Sequence, residues 1–453
     1  MEQLNYLYTN QRTGNHSPRK VSRSDFQRDY DRIIFSSSFR RLQNKTQVFP
    51  LPGSVFVHNR LTHSLEVSSV GRSLGTLAGE FINDNFKKNL SEESSNFYLY
   101  DLQSVIAAAC LCHDVGNPAF GHSGEDAIAS YFEKNESELK NIFTEKEWAD
   151  FTNFEGNANA IRILTHQQNG KDEGGVQLTH TTLSAIAKYP CEAIAKKKGY
   201  VNRKKFGFFQ NEKEIFTEIA TNTAMKMESS EPLVYKRNPF VWLVEMADDI
   251  CYNIIDMEDA HRLGIISTSD CESLFLEVIK ETTNNDLKRI EKKLLALQNQ
   301  NEKISYLRAK LIGSLIASGM ELYKANFQAI VEGSHNLGIL DMMKKNSPSL
   351  DKIEKFSQSN IYNHRSVVEI ENAGYNVMYE LLDHFIPPVL KPKDDRKGYE
   401  KKALQLMPSQ FHYDNGTTYQ KVLGVLDFVS GMTDNFATDI YRKIKGIDIG
   451  MTV

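Results

Sequence analysis

Cysteine is scarce in this sequence, which holds only five cysteines among 453 residues. The number is odd, and most of the five lie within apolar patterns of helical spacing. That placement suits reduced thiols in a core better than a disulfide framework. A scaffold held together by disulfides is therefore disfavoured. The five are Cys110, Cys112, Cys191, Cys251 and Cys271.

Long hydrophobic runs are also missing. No stretch of about 18 apolar residues occurs, and the opening residues, MEQLNYLYTNQR, contain no apolar segment after a basic start. The formal net charge of -4 is too small to indicate a membrane or a polyanionic partner for the whole molecule. We therefore expect a cytoplasmic protein that does not enter a membrane.

Alternating strand patterns, internal repeats and low-complexity tracts are scarce as well. Helical periodicity dominates, so we predict an all-α fold with at most a small β-hairpin, placed around Val201–Phe209. The polar, basic residues 1–30 indicate a flexible arm that is ordered only when something binds it. We expect residues 31–270 to form the core that carries the chemistry. Residues 271–453 would form a helical region packed on this core and used in oligomerisation.

One stretch, Leu102–Ile128, has a composition that apolar packing does not require. It reads LQSVIAAACLCHDVGNPAFGHSGEDAI, so an apolar helix delivers the adjacent pair His113 and Asp114. A Gly/Pro turn follows, and His122 and Glu125 lie at the start of a second helix. Imidazole nitrogens and carboxylate oxygens are ligands for divalent cations of borderline hardness. The stretch therefore predicts a metal site that needs further ligands from elsewhere.

Two other predicted helices offer such ligands. In His58–Phe86, Arg60 and His63 are three positions apart and project on one side. A histidine of purely structural role is the alternative there. In Pro239–Leu263, the polar side chains of Asp248, Tyr252 and Asp256 recur every four residues along an otherwise apolar helix. A solvent-exposed face is the alternative, and the apolar neighbours of this stripe argue against it.

Convergence of these helices would bring together two imidazoles and two carboxylates: His63, His113, Asp114 and Asp248. Oxygen ligands suit magnesium, and two nitrogen donors shift the preference toward manganese, iron or cobalt, so the spacing leaves the metal open. One such ion would lower the pKa of a water molecule and neutralise phosphate oxygens. These are the requirements of metal-assisted phosphoester or phosphoanhydride hydrolysis.

The segment Lys196–Phe209 is the most basic part of the chain. It places six basic residues among Tyr200, Phe206, Phe208 and Phe209. Basic residues interleaved with aromatic ones can form a stacking surface for single-stranded DNA. A solvated hairpin or a phosphate-facing loop explains the same composition, and both alternatives stay open.

Several motifs together resemble a known family. The order of His63, the His113–Asp114 pair and Asp248 is that of the HD-domain phosphohydrolases. More closely, the chain resembles the bacterial deoxyguanosinetriphosphate triphosphohydrolases, and the resemblance extends into the C-terminal third through NHRSVVEIENAGY and FVSGMTDNFATDIYRKIKG. The other motifs that carry it are FRRLQNKTQV, HNRLTHSLEV, HDVGNPAFGHSGE, NFEGNA, KYP, KKFGFF and EMADDICYNIIDMEDA.

The resemblance implies an HD-domain helical core that cleaves a deoxynucleoside triphosphate, dGTP first, to the deoxynucleoside and inorganic triphosphate. It assigns one divalent metal to the four ligands named above and a catalytic role to His122 and Glu125. Gln43 and Asp256 would bind the sugar 3′-hydroxyl, and Tyr252 would exclude a ribose 2′-hydroxyl. Arg60 and Lys188 would bind phosphate. Tyr189 and Asn157 are further substrate-binding candidates.

The same resemblance implies a homo-oligomer, with a hexamer favoured and a tetramer as the alternative. Glu369, Glu371 and Arg442 could reach a site in the same or an adjacent subunit, and no role is assigned to them. Two other functions stay open at this point. One is an HD-domain enzyme with another substrate range, such as a relaxed dNTPase, a nucleotidase or an alarmone phosphohydrolase. The other is a nucleotide-responsive regulator that binds nucleic acid.

Overall fold

The computed structural model describes residues 1–14, 23–49, 57–168, 170, 172–282, 287–448 and 450. Helices dominate these residues and the only sheet among them has two strands, which confirms the predicted all-α class. No helix in these ranges is long and apolar enough to cross a membrane.

The first half of the chain contains eleven α-helices within the described ranges. They are α1 Asp25–Phe35, α2 Ser37–Arg41, α3 Arg60–Phe86, α4 Glu92–Asn96, α5 Leu102–Cys112, α6 Gly121–Lys134, α7 Glu136–Leu139, α8 Glu145–Thr152, α9 Gly156–Thr165, α10 His180–Ile186 and α11 Lys213–Asn222. A 3-10 turn, Leu42–Asn44, follows α2 directly.

A β-hairpin and eleven more helices follow in the described part of the second half. They are β1 Met227–Ser230, β2 Leu233–Tyr235, α12 Val241–Arg262, α13 Thr268–Thr282, α14 Leu287–Ala296, α15 Gln300–Ala325, α16 Phe327–Glu332, α17 Ile339–Asn346, α18 Pro348–Ser357, α19 Arg365–Leu390, α20 Gly398–Gln405, α21 Thr418–Ser430 and α22 Asp434–Ile444. Between α18 and α19 lies one π-helical turn, Gln358–Tyr362.

The hairpin is not where the sequence predicted it. β1 and β2 are antiparallel, and Met227 lies opposite Tyr235. Residues 201–209, which we predicted as a hairpin, instead contain a 3-10 turn, Val201–Arg203, followed by irregular backbone. Phe206, Phe208 and Phe209 are all fully buried. These three aromatic side chains therefore anchor an irregular loop in the core. An exposed hairpin would have left some of them in solvent.

The first residues of the chain pack against the helices. Leu4 and Leu7 are buried, and the Arg12 guanidinium pairs with Asp25 and Asp29 of α1. Residues 1–14 of the arm predicted for residues 1–30 thus lie against the core, and the flexibility of this arm stays a prediction. Residues 15–22 of that predicted arm lie outside the described residues.

Two hydrophobic clusters of buried side chains organise the molecule. The first is built mainly on α1, α3, α5, α12, α13 and α15, and the second on α6, α8, α19 and α21. The region after residue 270 contributes buried side chains to both clusters, so it packs against the helices of each cluster. α3, α5 and α12 come from the first cluster and α6 comes from the second. The junction between the two clusters is where the polar side chains of these four helices meet.

Close packing of α3 on the segment before α5 depends on a glycine. A Cβ atom built on Gly79 would lie 2.0 Å from the carbonyl oxygen of Tyr98. The Asn59 side chain caps the other end of α3, where it accepts a hydrogen bond from the Thr62 backbone N–H. The cap fixes the first turn of α3, and this turn carries Arg60 and His63.

A group of hydrogen bonds, which we call the clasp, joins the C-terminal helices to two loops of the core. Its residues are Lys45, Thr46, Phe120, Ser430 and Asp434. The Asp434 carboxylate, at the start of α22, accepts hydrogen bonds from the backbone N–H groups of Thr46, at 2.8 Å, and Phe120, at 3.0 Å. The buried Lys45 ammonium donates to the Ser430 carbonyl oxygen at 2.9 Å. The loop before α6 is therefore held in place by residues near the end of the chain.

Candidate active site

Three of the four predicted metal ligands converge. His63 lies in the first turn of α3, His113 directly follows α5, and Asp248 lies in the middle of α12. One ligand atom from each falls within 4.8 Å of the other two. The Asp248 Oδ1 atom is 3.2 Å from His63 Nε2 and 3.4 Å from His113 Nε2. Helices far apart in sequence thus bring two imidazoles and a carboxylate to one point.

Asp114 lies beside this group and is engaged by other side chains. Its Oδ2 atom is 3.5 Å from His113 Nε2 and only 2.8 Å from Arg60 Nη1, and its Oδ1 accepts a hydrogen bond from the Asn117 amide. Burial would raise the pKa of the Asp114 carboxyl, and the Arg60 guanidinium and the neighbouring imidazoles hold that pKa below its usual value. The Asp114 carboxylate is therefore charged, and it lies beside the other three predicted metal ligands.

The donor set suits a divalent cation. His113 Nδ1 donates to the Cys110 carbonyl oxygen at 2.6 Å, which leaves Nε2 as the atom that faces Asp248. That buried Nε2 has no hydrogen-bond partner among the described residues. Burial would lower the pKa of His113, but Asp114 and Asp248 raise it to about 9. A cation bound between these carboxylates would take the place of that proton.

A cavity of about 170 Å³ opens beside the cluster. Its apolar lining includes Ala185, Ile186 and Val244 of the first hydrophobic cluster, and its polar lining includes the predicted catalytic pair on α6. The predicted residues that line it are His113, Asp114, His122, Glu125, Asn157, Lys188, Tyr189 and Asp248. The predicted residues outside its lining are Gln43, Arg60, His63, Tyr252 and Asp256.

His122 and Glu125 lie in the first turn of α6 and face the cavity. Burial and the charges of Lys205 and Arg60 lower the pKa of His122, so its ring is neutral near pH 7. Glu125 is buried, and its Oε1 atom accepts the Gly156 N–H at 2.7 Å. No hydrogen bond between Glu125 and His122 occurs among the described residues. The predicted orientation of the imidazole by Glu125 stays a prediction.

Lys188 and Lys205 bring positive charge to the cavity wall. The Lys188 ammonium lies 3.7 Å from both Glu245 Oε1 and Asp248 Oδ2. Burial alone would lower the pKa of Lys188, but these carboxylates raise it, so the side chain stays charged. Lys205 also lines the cavity, with its ammonium 2.8 Å from Glu155 Oε1. The cavity is thus flanked by two cations on separate elements.

The residues predicted to bind the sugar form a neighbouring group. Asp256 lies two turns along α12 from Asp248, is buried, and accepts the Tyr362 hydroxyl at 2.7 Å. The rings of Tyr252 and Tyr362 stack with centroids 5.9 Å apart. Gln43 is exposed on the 3-10 turn Leu42–Asn44, apart from this group in the contacts described. The structure therefore brings together two of the three sugar candidates.

The basic segment Lys196–Phe209 does not present the predicted stacking surface. Phe206, Phe208 and Phe209 are buried, which leaves Tyr200 as the exposed ring, with the Lys197 ammonium 4.8 Å from its centroid. Lys205 points into the cavity. The structure thus favours the third interpretation that the sequence left open, a loop facing the cavity. Contact with single-stranded DNA stays a prediction.

Five side chains at the site were not among the predicted site residues: Asn117, Glu155, Lys205, Glu245 and Tyr362. Glu155 and Lys205 lie within the motifs NFEGNA and KKFGFF, so the motif match was the available signal. Glu245 is one helical turn before Asp248 and could have been found from that spacing. Nothing in the local sequence singles out Tyr362, because the π-helical turn that carries it meets α12 only in the fold.

The residues without an assigned role lie elsewhere. Glu369 forms an exposed ion pair with Arg365 on the first turn of α19. Burial and the nearby Asp126 raise the pKa of Glu371. Arg442 is exposed near the end of α22. None of the three lines the cavity.

Comparison with known proteins places the chain in a family. A "Deoxyguanosinetriphosphate triphosphohydrolase-like protein" of Synechocystis sp. is 36% identical over 438 residues, which span 95% of this chain and 96% of the relative. The chain belongs to this family. A relative of the same name from Listeria monocytogenes is 32% identical, over 94% of each chain. A "Deoxyguanosinetriphosphate triphosphohydrolase" of Yersinia pestis is 30% identical, over 93% of this chain and 94% of the relative.

A family model described as "Phosphohydrolase-associated domain" matches residues 341–443. This range runs from α17 to the last turn of α22, so it includes Asp434 and the clasp on the loop before α6. The relatives match over both parts of the molecule, the helices that bring together His63, His113 and Asp248 and the C-terminal helices packed against them. Membership in this phosphohydrolase family, together with the cluster of His63, His113 and Asp248, supports a divalent metal site.

Proposed function

We propose that this protein hydrolyses deoxynucleoside triphosphates, dGTP first, to the deoxynucleoside and inorganic triphosphate. The observation that carries the proposal is the convergence of His63, His113 and Asp248 beside a cavity that His122 and Glu125 face. Attack would fall on the α-phosphorus, so that the bond to the 5′ oxygen of the sugar breaks. The names of the relatives supply the substrate class.

The charge of the cavity supports a polyphosphate ligand. A triphosphate carries several negative charges, more than one divalent ion neutralises. Lys188 and Lys205 both line the cavity. Arg60 lies next to it, where its guanidinium pairs with Asp114, which is also a lining residue. Guanidinium and ammonium groups bind phosphate oxygens through charge-assisted hydrogen bonds. These three cations are the phosphate-binding groups in our proposal, with Tyr189 and Asn157 beside them on the cavity wall.

One divalent ion would be held by His63, His113, Asp114 and Asp248. When bound, it would neutralise phosphate oxygens and lower the pKa of a water molecule. Asp114 also pairs with Arg60, so the same carboxylate links the metal ligands to a phosphate-binding group. The donor set of two nitrogen and two oxygen atoms is compatible with manganese, magnesium, iron or cobalt.

His122 would act as the general base. Its pKa is lowered by burial and by the charges of Lys205 and Arg60, so the ring is unprotonated at neutral pH and can accept a proton from the attacking water. The imidazolium would then donate that proton to the 5′ oxygen of the leaving deoxynucleoside. Glu125, within the same helical turn, would stabilise the transient positive charge on the ring.

Deoxyribose selection would rest on Tyr252 and Asp256. The buried Asp256 carboxyl already accepts one hydroxyl, that of Tyr362, and is therefore suited to accept the sugar 3′-hydroxyl, with Gln43 as a second partner. Tyr252 would pack against C2′, where a ribose hydroxyl would clash or lose its hydrogen bonds. In this proposal a ribonucleoside triphosphate is excluded by shape and by unpaired polar groups.

A product assay tests the proposed function. The purified protein is incubated with each dNTP and NTP, with manganese or magnesium, and the phosphate products are resolved by anion exchange. We expect inorganic triphosphate and the deoxynucleoside in equal amounts, with dGTP the best substrate. Asp248→Asn, which removes a metal-ligand charge, is the negative control. Release of pyrophosphate or orthophosphate would contradict the proposal.

We further infer that the protein assembles into a homo-oligomer, a hexamer first and a tetramer second, in the cytoplasm. The support is the resemblance of the sequence motifs to the bacterial deoxyguanosinetriphosphate triphosphohydrolases. Light scattering in solution measures the subunit number directly, and a monomer would contradict this part of the proposal.

A further inference from the structure

Glu125 does not stand alone at the cavity wall. Glu155, just before α9, places a second carboxyl group near it, and Lys205 lies between the two. The Lys205 ammonium is 2.8 Å from Glu155 Oε1 and 4.0 Å from Glu125 Oε2. Two buried carboxyl groups therefore share one cation. Two neighbouring buried carboxyl groups are not both ionised unless a positive charge lies close to them.

Each of the two carboxyl groups also has a contact of its own, apart from Lys205. Glu125 Oε1 accepts the Gly156 N–H at 2.7 Å, and Glu155 Oε1 accepts the Asn157 amide at 2.8 Å in addition to Lys205. A Cβ atom at position 156 would lie 2.3 Å from Asn117 Oδ1 and 2.8 Å from Glu125 Oε1, so a larger residue there would displace the Glu125 carboxylate. The spacing between the three charges is thus built into the fold.

The electrostatic balance at Glu125 follows from these neighbours. Burial and then the Glu155 charge raise the pKa of the Glu125 carboxyl to about 7, against the opposing effects of Lys205, the Gly156 N–H and Arg60. Lys205 itself stays charged, since burial would lower its pKa but both carboxylates raise it. A small change in either neighbour would therefore switch the charge of Glu125 near neutral pH.

Arg60 of α3 also acts on Glu125 and lowers the pKa of its carboxyl. His122 lies one turn before Glu125 on α6. α8 and α19 pack on α6. The titratable side chains described on these two helices include Asp150, which accepts the Tyr419 hydroxyl, Tyr375, which accepts a hydrogen bond from Lys134, and Glu371, whose pKa is raised by burial and by the charge of Asp126.

We propose that Lys205 and Glu155 are positioning residues that set the charge of Glu125. Lys205 favours the carboxylate form of Glu125 and Glu155 favours the carboxylic acid form, and Glu155 also holds the Lys205 ammonium in place. The consequence for turnover rests on the proposed function, in which the Glu125 carboxylate stabilises the protonated ring of His122. The charge of Glu125 would then determine the pH at which the enzyme becomes active.

The test measures the titration of Glu125 directly, without substrate. Protein labelled with ¹³C at the glutamate carboxyl carbons is titrated by NMR, and the Glu125 signal is assigned as the one missing in Glu125→Gln. We expect Glu155→Gln to lower the midpoint by about one pH unit and Lys205→Met to raise it by about as much. Lys205→Arg, which keeps the charge, should stay near the wild-type midpoint.

Opposite shifts distinguish this electrostatic role from a loss of structure. A merely structural effect of the two substitutions would move the midpoint in the same direction or leave it unmoved, and either result would overturn the proposal. The matched control is Lys196→Met, which removes an exposed positive charge from the same basic segment. Its midpoint should equal that of the wild type.

A second measurement separates this inference from the proposed function. If the wild-type protein releases triphosphate from dGTP, the acidic limb of its kcat/KM profile should shift down in Glu155→Gln and up in Lys205→Met, following the NMR midpoints. A limb that does not move while the midpoints do would overturn the role in turnover. If no nucleotide is hydrolysed, the proposed function fails and the NMR titration still decides whether the trio sets the charge of Glu125.

Discussion

Asp114 and His122 lie in the same short stretch of sequence, yet their side chains have different partners. Asp114 contacts the metal-binding group, and His122 faces the cavity from α6. We expect Asp114→Ala to lose turnover and bound metal together. His122→Ala should lose turnover by about 10²- to 10⁴-fold and keep its metal. Metal content by mass spectrometry, measured beside the product assay, checks both, and metal loss in His122→Ala would make His122 a ligand.

Tyr252 offers a second test at the level of a single side chain. Its ring stacks on Tyr362 at the proposed sugar wall. Tyr252→Ala should reduce the preference for dGTP over GTP, in kcat/KM, by about tenfold or more, because the space at C2′ opens. The matched control is Tyr252→Phe, which keeps the ring and should keep the preference. An unchanged preference in Tyr252→Ala would remove this residue from the sugar pocket.

Helical spacing could predict the positions of His63, Asp248, His122 and Glu125, because these residues lie on regular helices, and of His113, which directly follows one. The site residues that the sequence prediction missed depend mostly on irregular backbone, which periodicity does not describe. Glu155 and Lys205 sit in loops, and Tyr362 is in a π-helical turn that approaches α12 only through the packing of α18 and α19.

Among the elements, α3 supports a stability prediction. Gly79 lies against the Tyr98 carbonyl, so Gly79→Ala should destabilise the protein by about 1 to 3 kcal/mol. The matched control is Gly313→Ala on α15, where an added Cβ meets no atom within 4 Å. That change should be neutral or should stabilise by about 0.5 to 1 kcal/mol, because alanine favours a helix interior. Urea unfolding measures both, and equal effects would contradict the proposed close contact.

The long helices were predictable and the short irregular elements were not. α3 and α12 begin and end within a few residues of the predicted His58–Phe86 and Pro239–Leu263, because a long apolar stripe defines both and the Asn59 cap marks the start of α3. The hairpin was misplaced, since β-like composition at 201–209 reflects buried aromatic anchors. Two strands at Met227–Ser230 and Leu233–Tyr235 are too short to produce a clear alternating pattern.

For the whole molecule, the clasp at Asp434 gives the clearest test. Its carboxylate accepts the backbone N–H groups of Thr46 and Phe120 from a buried position, and an asparagine would leave at least one polar group poorly paired. We expect Asp434→Asn to cost about 2 to 3 kcal/mol and to reduce turnover, since the loop before α6 would loosen.

Asp439→Asn removes an exposed carboxylate from the same helix and is the matched control for Asp434. It should leave both the urea midpoint and the turnover unchanged. Loss of stability in Asp434→Asn with full turnover would show that the clasp supports the fold without supporting the site.

The Asp434 clasp also bears on how such chains evolve. Its hydrogen bonds join positions 388 and 314 residues apart. The Asp434 carboxylate also accepts the Thr46 hydroxyl, so a substitution at position 46 changes the selective value of a substitution at position 434. Among related chains, residues 46 and 434 should vary together more than either varies with the helix surfaces. A chimera that exchanges the C-terminal helices between two relatives would inherit a mismatched clasp unless the loops at 46 and 120 are exchanged with them.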